Sequence, residues 1–217
     1  RALEPAQFLG VMLLGLWWAK KQPGFDPNNP LLKKEVRQAL NLAIDRKEMG
    51  DKLLYGLYPP APIPILVPTS VGWNPAWKPY PYDPEQAKKL LAQAGYTAAS
   101  PLRLKMWLYS APGTAYLPSL GEAVGLYWDK VGVKVDFERA DWAGVVRPAL
   151  ASRSRAGVVS VHGGIMTPLW AQNLDLYLWS GGLLGMAEHP VMDGALKDLF
   201  ETIDTRKQTE LVRRIGD

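Results

Sequence analysis

The sequence has 217 residues, a formal charge of +4, and a composition that is 47% hydrophobic and 21% charged. That balance supports an ordinary globular core, and the absence of cysteine excludes a disulfide scaffold, thiolate zinc sites and thiol catalysis. The basic residues (Lys33-Lys34, Lys88-Lys89, Arg153 and Arg155, Arg213-Arg214) are separated by acids in most places, which reads as solvated helix faces rather than a nucleic-acid surface.

The apolar run from Phe8 to Ala19 is too short to span a bilayer, and its lysines, Lys20 and Lys21, follow it, unlike those of a leader peptide. It reads as a buried strand. A strand so apolar, so close to Arg1, predicts that the chain begins inside a larger protein. The turn-rich PGFDPNNP (residues 23–30) ends in a proline suited to a helical first turn. Val36, Leu40, Ala43 and Ile44 follow at helical spacing. Asp45 reads as a new N-cap with Glu48 as its capping-box partner, so two helices should meet near Asp45, the second ending about Gly56.

Residues 57–82 are rich in proline and aromatics, which excludes a regular helix or a central strand. Ile63, Ile65, Leu66, Val67, Trp73 and Trp77 make the segment too apolar for disorder, so a long ordered loop packed on the surface is expected. Asp83-Pro84-Glu85-Gln86 opens a helix with a cap, an N1 proline and an acidic first turn, and Gly95 closes it. Then comes an alternation: strand Leu102 to Leu108, helix Thr114 to Val131, strand Val133 to Phe137, helix Asp141 to Ser152, strand Gly157 to Val161. This is the pattern of an α/β layer with a mainly parallel sheet. In the tail, Asp193 is a candidate cap, as is Thr205 with Gln208. The chain stops at Asp217 after a helix with no closing strand, so a downstream part is expected too.

Four segments in this order carry a resemblance: VRQALNLAIDRKEM (Val36 to Met49), YPYDPEQAKKLLAQAGY (Tyr80 to Tyr96), LRLKMWLYS with WDKVGVKVDFERADW (Leu102 to Trp142), and HPVMDGALKDLFETID (His189 to Asp204). Together they are similar to extracellular solute-binding proteins of family 5, which serve ABC-type importers of peptides and nickel. The resemblance implies a class II periplasmic-binding-protein-like α/β lobe, with a mixed, mainly parallel sheet flanked by helices. Residues 1–217 would form a single C-terminal ligand-binding lobe, truncated at both ends. Within it fall signature helices over 25–56, a Pro/aromatic-rich loop over 57–82, and an α/β layer with terminal helices over 83–217.

The same resemblance implies a protein outside the cytoplasmic membrane, peripheral to it and monomeric at full length. It would capture a peptide or other small solute between two lobes and hand it to the transmembrane subunits of an ABC permease. No cofactor, metal, nucleic acid or catalytic residue is implied. Closure needs both lobes, so one lobe alone should bind weakly.

Ligand contacts are expected at strand ends and the loops that follow them. Tyr109, at the end of LRLKMWL, and Trp142 match positions that face the cleft or line the pocket in the family, though a surface tyrosine and a core tryptophan are the plain alternatives. His162, Gly163, Gly164, Met166 and Thr167 correspond to the principal binding loop of this lobe. Peptide binders carry a tryptophan and then an aspartate there; here Gly164 and Thr167 stand at those places, which weakens the case for ordinary peptides and leaves sugars, opines and other solutes open. Trp170 and Trp179 offer a stacking surface or core packing.

His162 and His189 are the only histidines, and with no cysteine or acidic cluster beside them they do not suggest a metal site. His162-Gly163-Gly164 is faintly similar to an esterase oxyanion loop, but the chain has no Gly-x-Ser-x-Gly elbow and no phosphate-cradling or dinucleotide glycine motif. The alternative classes are a peptide-holding chaperone and, less favoured, an α/β hydrolytic enzyme such as a glycosidase, whose paired carboxylates sequence alone does not assign.

Overall fold

The computed structural model describes residues 7–16, 22–63, 65–111, 113–165, 170–185 and 187–217. Four strands form one sheet in the order β1-β4-β2-β3, with β1 at Gln7–Leu13, β2 at Arg103–Leu108, β3 at Lys134–Arg139 and β4 at Val158–Ile165. β4, β2 and β3 run parallel, and β1 runs antiparallel to β4 along its whole length, from Gln7 opposite Ile165 to Leu13 opposite Val159. The mainly parallel α/β layer expected from the alternation is therefore present.

Among the elements that differ in extent from the sequence reading are β1 and β4. β1 ends at Leu13; the end of the apolar run, residues 17–19, lies outside the described residues. β4 runs on through His162, Gly163 and Gly164 to Ile165, so these residues belong to a strand and not to the loop expected after Val161. The cause is the partner: β1 supplies backbone hydrogen-bonding groups past Val161, and a ladder continues while its partner does.

Helices α1 (Lys34–Leu42) and α2 (Arg46–Leu53) meet at Asp45, whose carboxylate accepts from the Glu48 backbone N–H at 2.8 Å. The reciprocal half of the capping box is not made. The Glu48 carboxylate accepts instead from Lys52 and from the Tyr127 hydroxyl. α2 stops at Leu53 rather than near Gly56, because Tyr55 and Gly56 both turn into the left-handed region (φ 53° and 72°). Pro30 opens a short 3-10 turn, Pro30–Leu32, capped by buried Asn29, and α1 begins after it.

α3 (Pro84–Gln93) starts and ends as read from the sequence. Asp83 accepts from Gln86 N–H at 2.9 Å, and Gly95 leaves the helix at φ 94°. α3 packs beside α1: the Asp83 N–H donates to Leu42 O, and Lys33 Nζ donates to Ala94 O. α4 (Leu117–Asp129) lies on one face of β2, β3 and β4. Gly121 and Gly125 let it come close; a Cβ at either would stand 2.6 Å from the Leu108 side chain or 2.4 Å from the Phe137 ring. Trp128 of α4 is buried and donates to Leu40 O at 2.9 Å, fastening α4 to α1.

The helix expected over Asp141 to Ser152 is two pieces, a π-helical turn Trp142–Val146 and then α5 (Arg147–Ala151). Asp141 O accepts from both Val145 and Val146, and Pro148 has no N–H with which to continue a regular ladder.

The remaining helices are α6 (Trp170–Tyr177), α7 (Pro190–Phe200) and α8 (Thr205–Gly216). Their caps correct two expectations. His189, not Asp193, caps α7; Asp193 lies inside the helix, where its carboxylate accepts from Ser180 N–H. Asp204, not Thr205, caps α8, and Gln208 reaches back to Thr202 O. Both replacements have the same cause: an acceptor earlier in the chain, by one turn at His189 and by one residue at Asp204, reaches the free N–H groups first.

The described part of residues 57–82 contains neither helix nor strand, and it is ordered against α8. Gly72 (φ 78°) sits against Val212, Trp77 Nε1 donates to Asp217 at 2.8 Å, and Trp73 meets Trp77 edge-to-face.

Candidate functional site

The parallel strands share a direction, so their C-terminal ends come out along one edge of the sheet, where α/β folds open toward ligands. Tyr109 directly follows β2, Trp142 follows β3 by three residues, and His162 is on β4 near its end. β1 enters from that edge, which brings Phe8 opposite Gly164. Alternation along the strands puts Trp107, Ser160, His162 and Gly164 on the face away from α4. Tyr109 continues that parity.

His162 stands at the centre. Trp142 stacks on it at 5.3 Å between centroids, Phe8 meets it edge-on at 6.0 Å, and Tyr109 and Tyr177 lie tilted at 6.3 and 5.8 Å. Trp142 also stacks on Tyr109, and Phe8 and Tyr177 are edge-to-face at 5.0 Å. Phe8, Tyr109, His162 and Tyr177 are buried, and Trp142 is partly exposed. The Tyr109 hydroxyl lies 2.7 Å from His162 Nδ1, whereas Nε2, equally buried, has no hydrogen-bond partner among the described residues.

Burial sets the charge states. It pushes His162 down to about 4, so the ring is neutral at neutral pH. It raises the Tyr109 phenol well above its ordinary value, and it raises Tyr177 as well. Ser160 is fully buried. The result is a neutral, mostly buried aromatic cluster with hydrogen-bonding groups set into it, exposed in part at Trp142.

Of the residues picked from the sequence, Tyr109, Trp142 and His162 are brought together. Tyr109 is buried, not at the surface, and Trp142 lies over it. Gly164 shares the His162 face and has no room for a side chain, since a Cβ would stand 2.5 Å from both the Phe8 ring and the Tyr177 hydroxyl. Gly163 points the other way, toward Leu9 and Leu117. Met166 and Thr167 lie outside the described residues, and Trp170 is the first residue of α6. Trp179 packs edge-on against Phe200 of α7.

Sequence reading missed Phe8 and Tyr177, which complete the cluster. Phe8 was visible only as one member of an apolar strand, and nothing local to residue 177 marks it. No group of three or more His, Cys, Asp or Glu suited to a metal occurs among the described residues. A separate depression of about 260 Å³ lies over α1, lined by Leu13, Lys34, Arg37, Gln38, Asn41 and Tyr80. Among the described residues, no helix is long and apolar enough to cross a membrane.

The family model for bacterial extracellular solute-binding proteins, family 5 (middle) matches residues 10–182. Heme-binding protein A of Haemophilus influenzae is 32% identical over 136 residues, 62% of this chain and 24% of that protein. Di/tripeptide-binding protein 1 of Pseudomonas aeruginosa is 26% identical over 200 residues, 86% of this chain and 35% of that protein. Among solved structures, NikA from Staphylococcus aureus in complex with Ni(L-His)2 matches 97% of this chain and 42% of its own with a TM-score of 0.75. At 23% identity that likeness shows the fold, a class II periplasmic-binding-protein-like lobe. The chain spans about a quarter to two-fifths of the length of these relatives.

Proposed function

The chain belongs to the bacterial extracellular solute-binding proteins of family 5, and from that we propose that it is the C-terminal lobe of the substrate-binding component of an ABC-type importer. The observation that carries this reading is the aromatic cluster gathered at the C-terminal ends of three parallel strands. Such an edge is where a lobe of this class meets a ligand. Tyr109, Trp142, His162 and Gly164 would form this lobe's half of an interlobe cleft, backed by Gly163, with Met166, Thr167 and Trp170 following on the chain.

In this reading the protein works outside the cytoplasmic membrane as a monomer at full length, binds without chemical turnover, and presents its solute to the permease subunits. The relatives named above bind heme, di/tripeptides and Ni(L-His)2 by name, so membership of the family leaves the solute class open. The neutral state of His162 and the enclosure of Ser160 favour binding over catalysis.

The test is mass spectrometry of small molecules released by denaturing the natively purified full-length protein. A co-purified solute is expected. An empty protein whose melting temperature is raised by no compound of a peptide and sugar library would overturn the reading, as would turnover of a bound compound.

A further inference from the structure

His162 is the ring in the cluster whose polar edge is unmatched. Nδ1 is occupied by the Tyr109 hydroxyl at 2.7 Å. Nε2 has no partner among the described residues, although His162 is only 4% exposed. Buried polar groups are nearly always hydrogen-bonded, so an orphan in a cluster at this end of the sheet calls for a partner that the described residues do not supply. The phenol is the better acid and the imidazole the better base, so the Tyr109 O–H donates to Nδ1. The proton of the neutral ring then resides on Nε2, and the orphan is a donor.

The surroundings define what that donor meets. Among the described residues, the ring contacts of His162, Tyr109 and Tyr177 are with one another, Phe8 and Trp142, and none is with an ionised side chain. An ammonium or carboxylate placed here would give up its hydration with no counter-charge, a heavy cost in an apolar setting. A neutral flat group would lose little, would stack on an aromatic face, and would need only an acceptor for the Nε2–H.

Building on the solute-binding reading, we infer that this lobe receives an uncharged, flat portion of the solute, stacked at Trp142, with a carbonyl-type oxygen accepting from His162 Nε2–H. Trp142 is the partly exposed ring and sits on a π-helical turn, a local geometry frequent at functional sites, so it is the side from which the solute approaches. Charged ends of the same solute, where present, would lie beyond this cluster.

The experiment uses the 217-residue chain and two matched probes, linear Gly-Phe with charged ends and the neutral ring cyclo(Gly-Phe). Imidazole nitrogen NMR reports directly, because His162 and His189 are the only histidines and His189→Asn, which keeps a helix cap, assigns them. Millimolar cyclo(Gly-Phe) should shift the His162 signals, and Gly-Phe should not. By tryptophan fluorescence, His162→Phe paired with Tyr109→Phe (so that no hydroxyl is stranded) should weaken cyclo(Gly-Phe) binding roughly tenfold, the loss of one hydrogen bond, while His162→Gln should keep most of it.

Shifts from Gly-Phe at equal or lower concentration would overturn the inference. So would no shift from either probe, or undiminished binding by the double variant with its circular dichroism unchanged. All three results leave the solute-binding reading standing, since that falls on the released-solute experiment alone.

Discussion

The Tyr109 hydroxyl lies 2.7 Å from Nδ1 of His162, and both side chains are buried where β2 and β4 end. Each supplies the polar partner that lets the other sit in an aromatic cluster, so the pair should behave energetically as a unit. Tyr109→Phe alone strands the His162 nitrogen and is expected to cost about 1–3 kcal/mol. Adding His162→Phe removes the stranded group and should recover much of that loss. Urea denaturation of the two single variants and the double variant gives the coupling; additive losses would show that the contact carries no mutual stabilisation.

His162 also predicts a pH dependence. Its folded-state value, lowered by burial to about 4, lies below the ordinary 6.5, so between these values the unfolded chain binds the proton more readily. Stability should therefore be full above about pH 6.5, fall as pH drops from there toward 4, and take no further loss from this residue below it. The drop attributable to His162 is on the order of 3 kcal/mol. Tyr109 and Tyr177, the other titratable groups in contact with it, stay neutral throughout. Comparing wild type with the Tyr109→Phe/His162→Phe double variant by denaturation across this range should show that slope vanish.

At Gly164, alanine would place a methyl 2.5 Å from both the Phe8 ring and the Tyr177 hydroxyl. An alanine in a strand normally stabilises relative to glycine, by about 0.5–1 kcal/mol. Here overpacking should prevail, with a net loss of about 1–3 kcal/mol. Phe8→Leu in the same chain should recover part of it. Denaturation midpoints measure both.

Gly72 carries a φ of 78° and would direct a Cβ to 2.7 Å from Val212. Gly72→Ala should lift residues 57–82 off α8. Limited proteolysis should then cut within that segment faster than in wild type, with the sheet still protected; equal cleavage rates would show that the anchor lies elsewhere.

What was legible in the sequence was what neighbours decide. The carboxylate of Asp83, the ring of Pro84 and the left-handed turn at Gly95 act within one turn of helix, and α3 begins and ends where they say. What was not legible depends on distant partners. His162 reads as a loop residue until β1 is seen to pair with β4 and carry the strand on to Ile165. Asp193 reads as a cap until Ser180 N–H is found to occupy it. For the site, Tyr109, Trp142 and His162 could be named because the family resemblance marks those positions, and chain direction puts the ends of parallel strands on one edge. Phe8 and Tyr177 could not, since their place is fixed by contacts across the whole chain.

The hold of α8 on the loop also bears on synthesis. Trp77 and its partner Asp217 are 140 residues apart, and at about 5–20 residues per second the ribosome makes the first roughly ten seconds before the second. During that interval Trp73, Trp77 and the prolines around them leave the exit tunnel with no surface to settle on. A nascent chain arrested before residue 205 should therefore engage hydrophobic-binding chaperones at this segment, and release them once α8 emerges.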